Sequence, residues 1–341
     1  MSPAPTPKIL IIRRDNIGDL VCTTPLIAAL RRQFPRAWIG ALVNSYNAPV
    51  LAGNPDLDEV FVYTKAKHRG PGPGGEEWLP GILWRRLAMM RKLRGLQLDD
   101  VIIATTSPQP RVVRQALWLK PKRLIGFGDV KGLDVALPQD DAGRHEVEDV
   151  FRVAAVYGIA GPPPVCRVLA PSKAAPAPAF TVGIHISARK ASQRWPAERF
   201  ADTIESLAAQ GSLRFMLLWS PGAEDNPLHP GDDAKAGEVL ARVGAGAPVI
   251  ARPTQTLADL IAALAQCDAL ICADGGAMHL AAGLGLPIVC LFGNSGTARW
   301  RPWGVPYRLL QKPSLDVRDI AVDEVTTAFN ALRADIPAPS S

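Results

Sequence analysis

Ala269-Leu-Ile-Cys-Ala-Asp274-Gly275-Gly276-Ala-Met-His279-Leu-Ala-Ala-Gly-Leu-Gly-Leu-Pro287-Ile-Val-Cys-Leu-Phe-Gly293 is the stretch whose reading decides the fold. An apolar run ends in Asp-Gly-Gly, a short helix follows, and Gly-Leu-Pro leads into a second apolar run. Strand, tight turn, helix, strand is the βαβ unit of a parallel sheet. The two glycines let backbone come close to a ligand, and the N–H groups at the helix start attract phosphate. A carboxylate suits phosphate poorly there, so Asp274 is expected to take sugar hydroxyls. The same residues also fit a Gly-rich βα turn of an ordinary α/β protein, since they form no dinucleotide fingerprint.

The pattern repeats outward from this unit. Upstream, apolar strands are expected at Phe180 to Ile186, Arg214 to Trp219, and Val249-Ile250. Thr256-Leu-Ala-Asp259 reads as a capping box opening the helix before Ala269. The last helix is expected from Val322 to Leu332, followed by a disordered Pro/Ser tail. In the first half, strands are expected at Lys8 to Arg13, Trp38 to Val43, Val60 to Tyr63, Asp100 to Ala104 and Leu124 to Phe127. Pro25 fits only a helix's first turn, so a helix should begin close after Gly18-Asp19. A Pro-rich connector joins the halves. The expected division is 1–160, a connector over 161–179, 180–325, and a helix end with tail over 326–341.

Composition narrows the class. The 341 residues are 48% hydrophobic and 6% aromatic, enough for two core-bearing domains with buried parallel strands. Charges or prolines interrupt every apolar run before membrane-span length. MSPAPTPK lacks the apolar core of a signal peptide. The five cysteines have no zinc spacing and read as buried thiols of a reducing compartment, so a cytoplasmic protein is expected. The net charge of +6 allows acidic partners, but dispersed cations and the lack of a nucleic-acid module argue against nucleic acid.

Three segments together resemble the bacterial lipopolysaccharide heptosyltransferases, glycosyltransferase family 9. They are Ile11-Ile-Arg13-Arg-Asp15-Asn-Ile17-Gly18-Asp19 with Thr23-Thr24-Pro25; His185 through Trp195-Pro196-Ala-Glu198-Arg199-Phe200; and Asp274-Gly275-Gly276 through His279, with Phe292-Gly293 and Thr297-Ala-Arg299-Trp300 beyond. His145-Glu146-Val147-Glu148 fits as well. The resemblance implies a GT-B architecture: two Rossmann-like domains with parallel sheets facing a cleft. It also implies inverting, metal-independent transfer of heptose from an ADP-sugar to a lipid-linked, anionic core acceptor, with no cofactor. The place of action would be the cytoplasmic face of the inner membrane.

Residue roles follow from the resemblance. Asp19 corresponds to the proposed general base, where a residue reading alone would make it a helix cap. Arg13 and Asp15 would orient the acceptor or Asp19, or form a local ion pair. Without a metal, departing diphosphate needs cations and backbone donors. Ser187, Arg189, Lys190, the Gly275-Gly276 amides and His279 are the candidates. Relatives often carry Lys where this chain has Gln193; either Lys190 reaches in its place or the site is weakened. Trp195-Pro196 should set a helix start and pack. Glu224 resembles a ribose-binding Glu, and Thr254 to Leu257 an adenine-side loop. Lys65, Lys67 and Arg69, in a Gly/Pro-rich loop, are expected to meet acidic sugars or phosphates. The basic helix from Trp78 to Arg94 fits either a membrane face or a surface helix docked on the first domain. Asp56-Leu-Asp58 matches a metal-binding pattern of another glycosyltransferase fold but reads as a turn. Other readings are a GT-B enzyme with a different nucleotide sugar or a protein acceptor, and a non-catalytic sugar-nucleotide binder. A dehydrogenase is disfavoured because no Gly-x-Gly-x-x-Gly follows an early strand.

Overall fold

The computed structural model describes residues 6–63, 79–140, 142–170, 179–225, 230–244 and 248–336. It divides into two compact units, Met1–Pro164 and Val165–Ser341.

The first unit carries β1 (Lys8–Ile12), β2 (Trp38–Asn44), β3 (Glu59–Tyr63), β4 (Asp100–Ile103), β5 (Arg123–Phe127) and β6 (Val135–Leu137). They form one sheet in the order β3-β2-β1-β4-β5-β6, every pair parallel. Ile9 to Ile12 are all buried, without alternation, because a parallel sheet is covered on both faces. The chain after β1 departs from the single helix expected. A short helix, Ile17–Val21, ends before Thr23, and a second runs Thr24–Gln33. Pro25 has no N–H, and its ring would clash with the carbonyl of Val21, so the helix restarts with Pro25 in its first turn. β6 was not expected: Val-Ala-Leu is too short to stand out, and it lies half-covered at the sheet edge.

The second unit carries β7 (Phe180–His185), β8 (Leu213–Trp219), β9 (Val249–Pro253), β10 (Ala269–Ala273), β11 (Ile288–Phe292) and β12 (Tyr307–Gln311). The order is β12-β11-β10-β7-β8-β9, again all parallel. This is the first unit's order repeated. β12 also escaped the sequence reading, because its side chains are only partly buried and it mixes Tyr, Arg and Gln with two leucines. The capping box is present: Asp259 N–H donates to Thr256 Oγ1 at 3.1 Å and Thr256 N–H to Asp259 Oδ2 at 2.9 Å. Helix Val322–Ala334 buries Val325, Phe329 and Leu332 in the same core as Trp195, Phe200 and Phe215. Val168, inside the stretch read as connector, donates its N–H to Gly283 at 2.7 Å, so this unit's wall includes it.

In both sheets the strand order reverses beside the first strand, between β1 and β4 and between β7 and β10. Crevices at the carboxyl ends of such strands are where α/β sheets take ligands.

Candidate active site

The loop leaving β1 holds a buried charge cluster. The Arg13 guanidinium is 1% exposed and faces three carboxylates. Its Nη2 lies 2.7 Å from Asp19 Oδ1 and 2.6 Å from Glu146 Oε1, and its Nε lies 3.1 Å from Asp15 Oδ2. Its Nη1 donates to Ala104 O, just past β4. Asp19 Oδ2 accepts from Asn16 N at 3.0 Å and from Asn16 Nδ2 at 2.9 Å. Burial alone would raise the Asp19 carboxyl; the Arg13 charge and the Asn16 donors outweigh it and hold Asp19 below the usual range. Burial likewise opposes the charge on Arg13, and Asp19, Glu146 and Asp15 restore it.

Asp19 is therefore an ionised, oriented carboxylate whose side chain keeps 12% exposure. Two of its four lone-pair directions face Asn16 and one faces Arg13, leaving a direction on Oδ1 for another donor. The capping role is real too, since Asp19 receives the N–H of Asn16 at the helix start. Arg13 and Asp15 fall to the orienting role: Asp15 Oδ2 also accepts from Thr105 Oγ1 at 2.8 Å, beyond β4. Glu146 reaches Arg13 across 133 residues, because His145 opens helix Glu146–Phe151 with its Nδ1 on the Val147 N–H.

At the reversal of the second sheet, Asp274 ends β10 and is 9% exposed. Gln193 Nε2 donates to Asp274 Oδ2 at 2.7 Å and to Ser295 Oγ at 3.0 Å. Lys190 Nζ lies 3.4 Å from the same Ser295 Oγ. At Gln193 this chain thus places a neutral donor on Asp274, with an exposed ammonium one hydroxyl away. Gly275 is the exposed N-cap of helix Gly276–Gly283, and a Cβ there would meet open space. His279, buried in that helix, packs edge-on against Trp300 with ring centres 6.0 Å apart. Gly293 is obligatory for another reason: a Cβ would sit 2.2 Å from Ser192 O, in the turn that carries Gln193.

Ser187 Oγ, just past β7, accepts the Ser220 N–H at 2.9 Å and so ties the ends of β7 and β8. Glu224 is largely exposed and takes Arg194 Nη2 at 2.9 Å; Asp232 takes the same nitrogen at 2.7 Å. Arg189 is exposed beside Lys190. Trp195 packs as expected, its Nε1 donating to Ile320 O at 3.1 Å. Thr254 is buried and donates to Trp219 O at 3.0 Å. Asp58 accepts from Arg31 and from Ile39 N–H, so Asp56-Leu-Asp58 is a structural turn. Among the described residues, no group of three or more His, Cys, Asp or Glu is placed to hold a metal ion. Lys65, Lys67 and Arg69 lie outside the described residues.

Sequence reasoning quoted Asn16, Glu146 and Gln193 without giving them these partners, and it missed Ser295 and Lys235. Ser295 lies three residues past β11, and its place beyond a strand end could have flagged it. Lys235 donates to Ile186 O at 3.1 Å; burial pushes it down to about 8, against the pull of Asp232. Burial and the nearby Lys235 charge push His185 down to about 4, so it is a neutral core imidazole at pH 7.

Two six-stranded parallel sheets of this order, each with polar groups at its reversal, define a GT-B glycosyltransferase fold. The chain belongs to glycosyltransferase family 9 (heptosyltransferase), whose model matches residues 86–316. Lipopolysaccharide heptosyltransferase 2 of Escherichia coli K12 is 25% identical over 315 residues, covering 84% of this chain and 83% of that protein. A family 9 glycosyltransferase from Veillonella parvula superposes with a TM-score of 0.80 at 19% identity, covering 97% of this chain and 98% of that one. E. coli heptosyltransferase WaaC, solved with ADP, gives 0.74 at 17% identity, over 95% of this chain and 99% of that one.

Proposed function

We propose that the protein transfers heptose, with inversion, from ADP-L-glycero-D-manno-heptose to the lipopolysaccharide inner core. The observation that carries this reading is the Asp19 carboxylate, held ionised by Arg13 and Asn16 with an open direction on Oδ1. A pure sugar-nucleotide binder has no use for such a group. The acceptor hydroxyl gives its proton to Asp19 as its oxygen bonds the anomeric carbon. The bond from that carbon to the diphosphate breaks, and its electron pair leaves with ADP.

The leaving charge falls to the first-turn amides after Gly275, to Gly276, Ser187, Arg189 and Lys190, and to His279. Asp274, fixed by Gln193, takes sugar hydroxyls, and Glu224 the ribose. Family membership and the ADP held by the WaaC structure support the donor. Lys65, Lys67 and Arg69 meet the acidic sugars of a lipid-linked acceptor, which brings the protein to the cytoplasmic membrane face; no described helix is long and apolar enough to cross it. No metal takes part in this scheme.

The test incubates purified protein with ADP-heptose and a heptose-free core acceptor, reading the acceptor's mass and released ADP. One added heptose with stoichiometric ADP, unaffected by EDTA, is expected. Transfer only from a different nucleotide sugar would overturn the donor. Activity lost in chelator and restored by a divalent ion would overturn the metal-free scheme.

A further inference from the structure

The exposed large hydrophobics are unevenly spread. Five of the ten among the described residues, Leu83, Trp84, Leu87, Leu117 and Trp118, lie on two helices of the first unit, Leu79–Gly95 and Pro110–Trp118. In the first helix, Met89, Met90 and Leu93 pack on the unit's core. The opposite face repeats Trp84, Leu87, Ala88 and Arg91 at i, i+3, i+4 and i+7, all exposed. In the second helix Val113 and Ala116 are buried, and the opposite face repeats Arg111, Arg114, Gln115 and Trp118 at the same spacing.

The two helices adjoin. Arg94 of the first helix stacks on Trp118 of the second at 4.8 Å and donates to its carbonyl at 3.0 Å. Met90, Arg111, Arg114 and Trp118 line one shared depression. The charge is of one sign. The helices carry five and two Arg or Lys, and no Asp or Glu occurs over 79–98 or 101–128. Lys92 pairs across elements with Glu59.

We propose that this two-helix face docks the protein on an anionic phospholipid bilayer. Two tryptophans and a leucine exposed beside Arg91, Arg111 and Arg114 match the headgroup boundary, where an indole's apolar body and polar tip are both satisfied. Arg91, Arg111 and Arg114 then lie against lipid phosphates, and Trp84, Leu87 and Trp118 enter the boundary. The inference deepens the acceptor reading above by naming the surface that meets the acceptor's membrane. The surface argument itself needs no turnover.

The test uses the full chain with sucrose-loaded vesicles of phosphatidylglycerol and phosphatidylethanolamine, and of phosphatidylcholine as the neutral control. The parent sediments with the anionic vesicles and not the neutral ones. An Arg91→Ala/Arg111→Ala/Arg114→Ala variant loses about 10²-fold in partition, from about fivefold per cation at an anionic surface. Trp84→Ala/Trp118→Ala loses about tenfold, and loses most of the quenching of Trp emission by brominated lipid. The Arg variant keeps the parent's Tm, since its side chains are exposed, and the Trp variant stays folded by circular dichroism with a slightly lower Tm, because Trp118 carries the Arg94 stack. Equal sedimentation of parent and variants would overturn the proposal. So would a Trp variant that changes only the oligomeric state by light scattering, which would make the face a protein contact. Transfer to a deacylated, water-soluble acceptor is read separately. Its absence in the parent would sink the transfer reading and leave the vesicle result standing.

Discussion

Asp19→Asn is the substitution whose consequences the structure fixes most tightly. The parent carboxylate faces Arg13 Nη2 at 2.7 Å on one oxygen and two Asn16 donors at 3.0 and 2.9 Å on the other. An amide has one acceptor oxygen and one donor group, so in either orientation its NH2 confronts a donor. That mismatch costs about 1–3 kcal/mol. Full loss of a buried ion pair costs about 3–5 kcal/mol; here Glu146 and Asp15 still neutralise Arg13, so the lower range applies. The variant should fold with a lowered Tm. Its kcat should fall at least the ~10²-fold typical of a lost general base, with donor KM little changed.

The pH dependence follows from the same geometry. Asp19 in the folded chain titrates below its ordinary value of 3.8. Its stabilising contribution is therefore complete above the unfolded value and is lost as pH falls through the folded one. Between pH 5 and 8 the base stays ionised, so kcat/KM should carry no acid limb from this group. The assays are ADP release across that range for parent and variant, and thermal melts of both. A variant that keeps near-full turnover refutes the role. A parent acid limb near pH 6 that disappears in the variant would instead refute the lowered ionisation of Asp19.

Gln193→Ala removes the hydrogen bond that fixes the buried Asp274 carboxylate; donor KM should rise about tenfold, from the worth of a bond to a charged group, and an unchanged KM would free Asp274 from the donor site. Gly293→Ala forces a Cβ to within 2.2 Å of Ser192 O; melting should report about 1–3 kcal/mol of lost stability, together with weaker ADP binding by calorimetry, because the turn carrying Gln193 must move. The Lys65→Ala/Lys67→Ala/Arg69→Ala variant should raise acceptor KM strongly and leave ADP-sugar binding alone; an unchanged acceptor KM would remove that loop from the site.

Strands buried on both faces were legible because each is an unbroken apolar run: β10 and β11 carry the bounds read from sequence, Ala269–Ala273 and Ile288–Phe292. The edge strands β6 and β12 were not, since half-exposed strands admit Arg, Gln and Ala without a pattern. Ser187 and Asp274, just past strand ends, could be placed from sequence because position along the chain fixes position along the strand, and Asp19 because Pro25 fixes where its helix gives way to the next. Their partners could not. Glu146 lies 133 residues from Arg13, and Gln193 lies 81 from Asp274, and nothing local in either segment announces the pairing. Helix Leu79–Gly95 fits the surface-helix reading of its segment. It docks through Met89, Met90 and Leu93, as a surface helix should, and still turns Leu83, Trp84 and Leu87 outward.

The two sheets share one topology but hold charge differently at their reversals, and the difference suits the chemistry proposed for each. Beyond β1, a single buried guanidinium is shared among three carboxylates, which keeps Asp19 anionic despite its burial. A base held this way is weak in the free-energy sense, so it suits late proton transfer from a hydroxyl already bonding to carbon. It would serve poorly to form an alkoxide beforehand. Beyond β10, the carboxylate is matched by a neutral amide instead. A lysine at 193 would form an ion pair with Asp274 and supply charge to the diphosphate together. Gln193 gives Asp274 a hydrogen bond and no charge, so the cation must come from the exposed Lys190, one Ser295 hydroxyl away. An exposed ammonium is screened by salt where a buried one is not. Raising ionic strength should therefore weaken ADP binding to this chain, and weaken it less in Gln193→Lys; equal salt slopes for the two would remove Lys190 from the donor site.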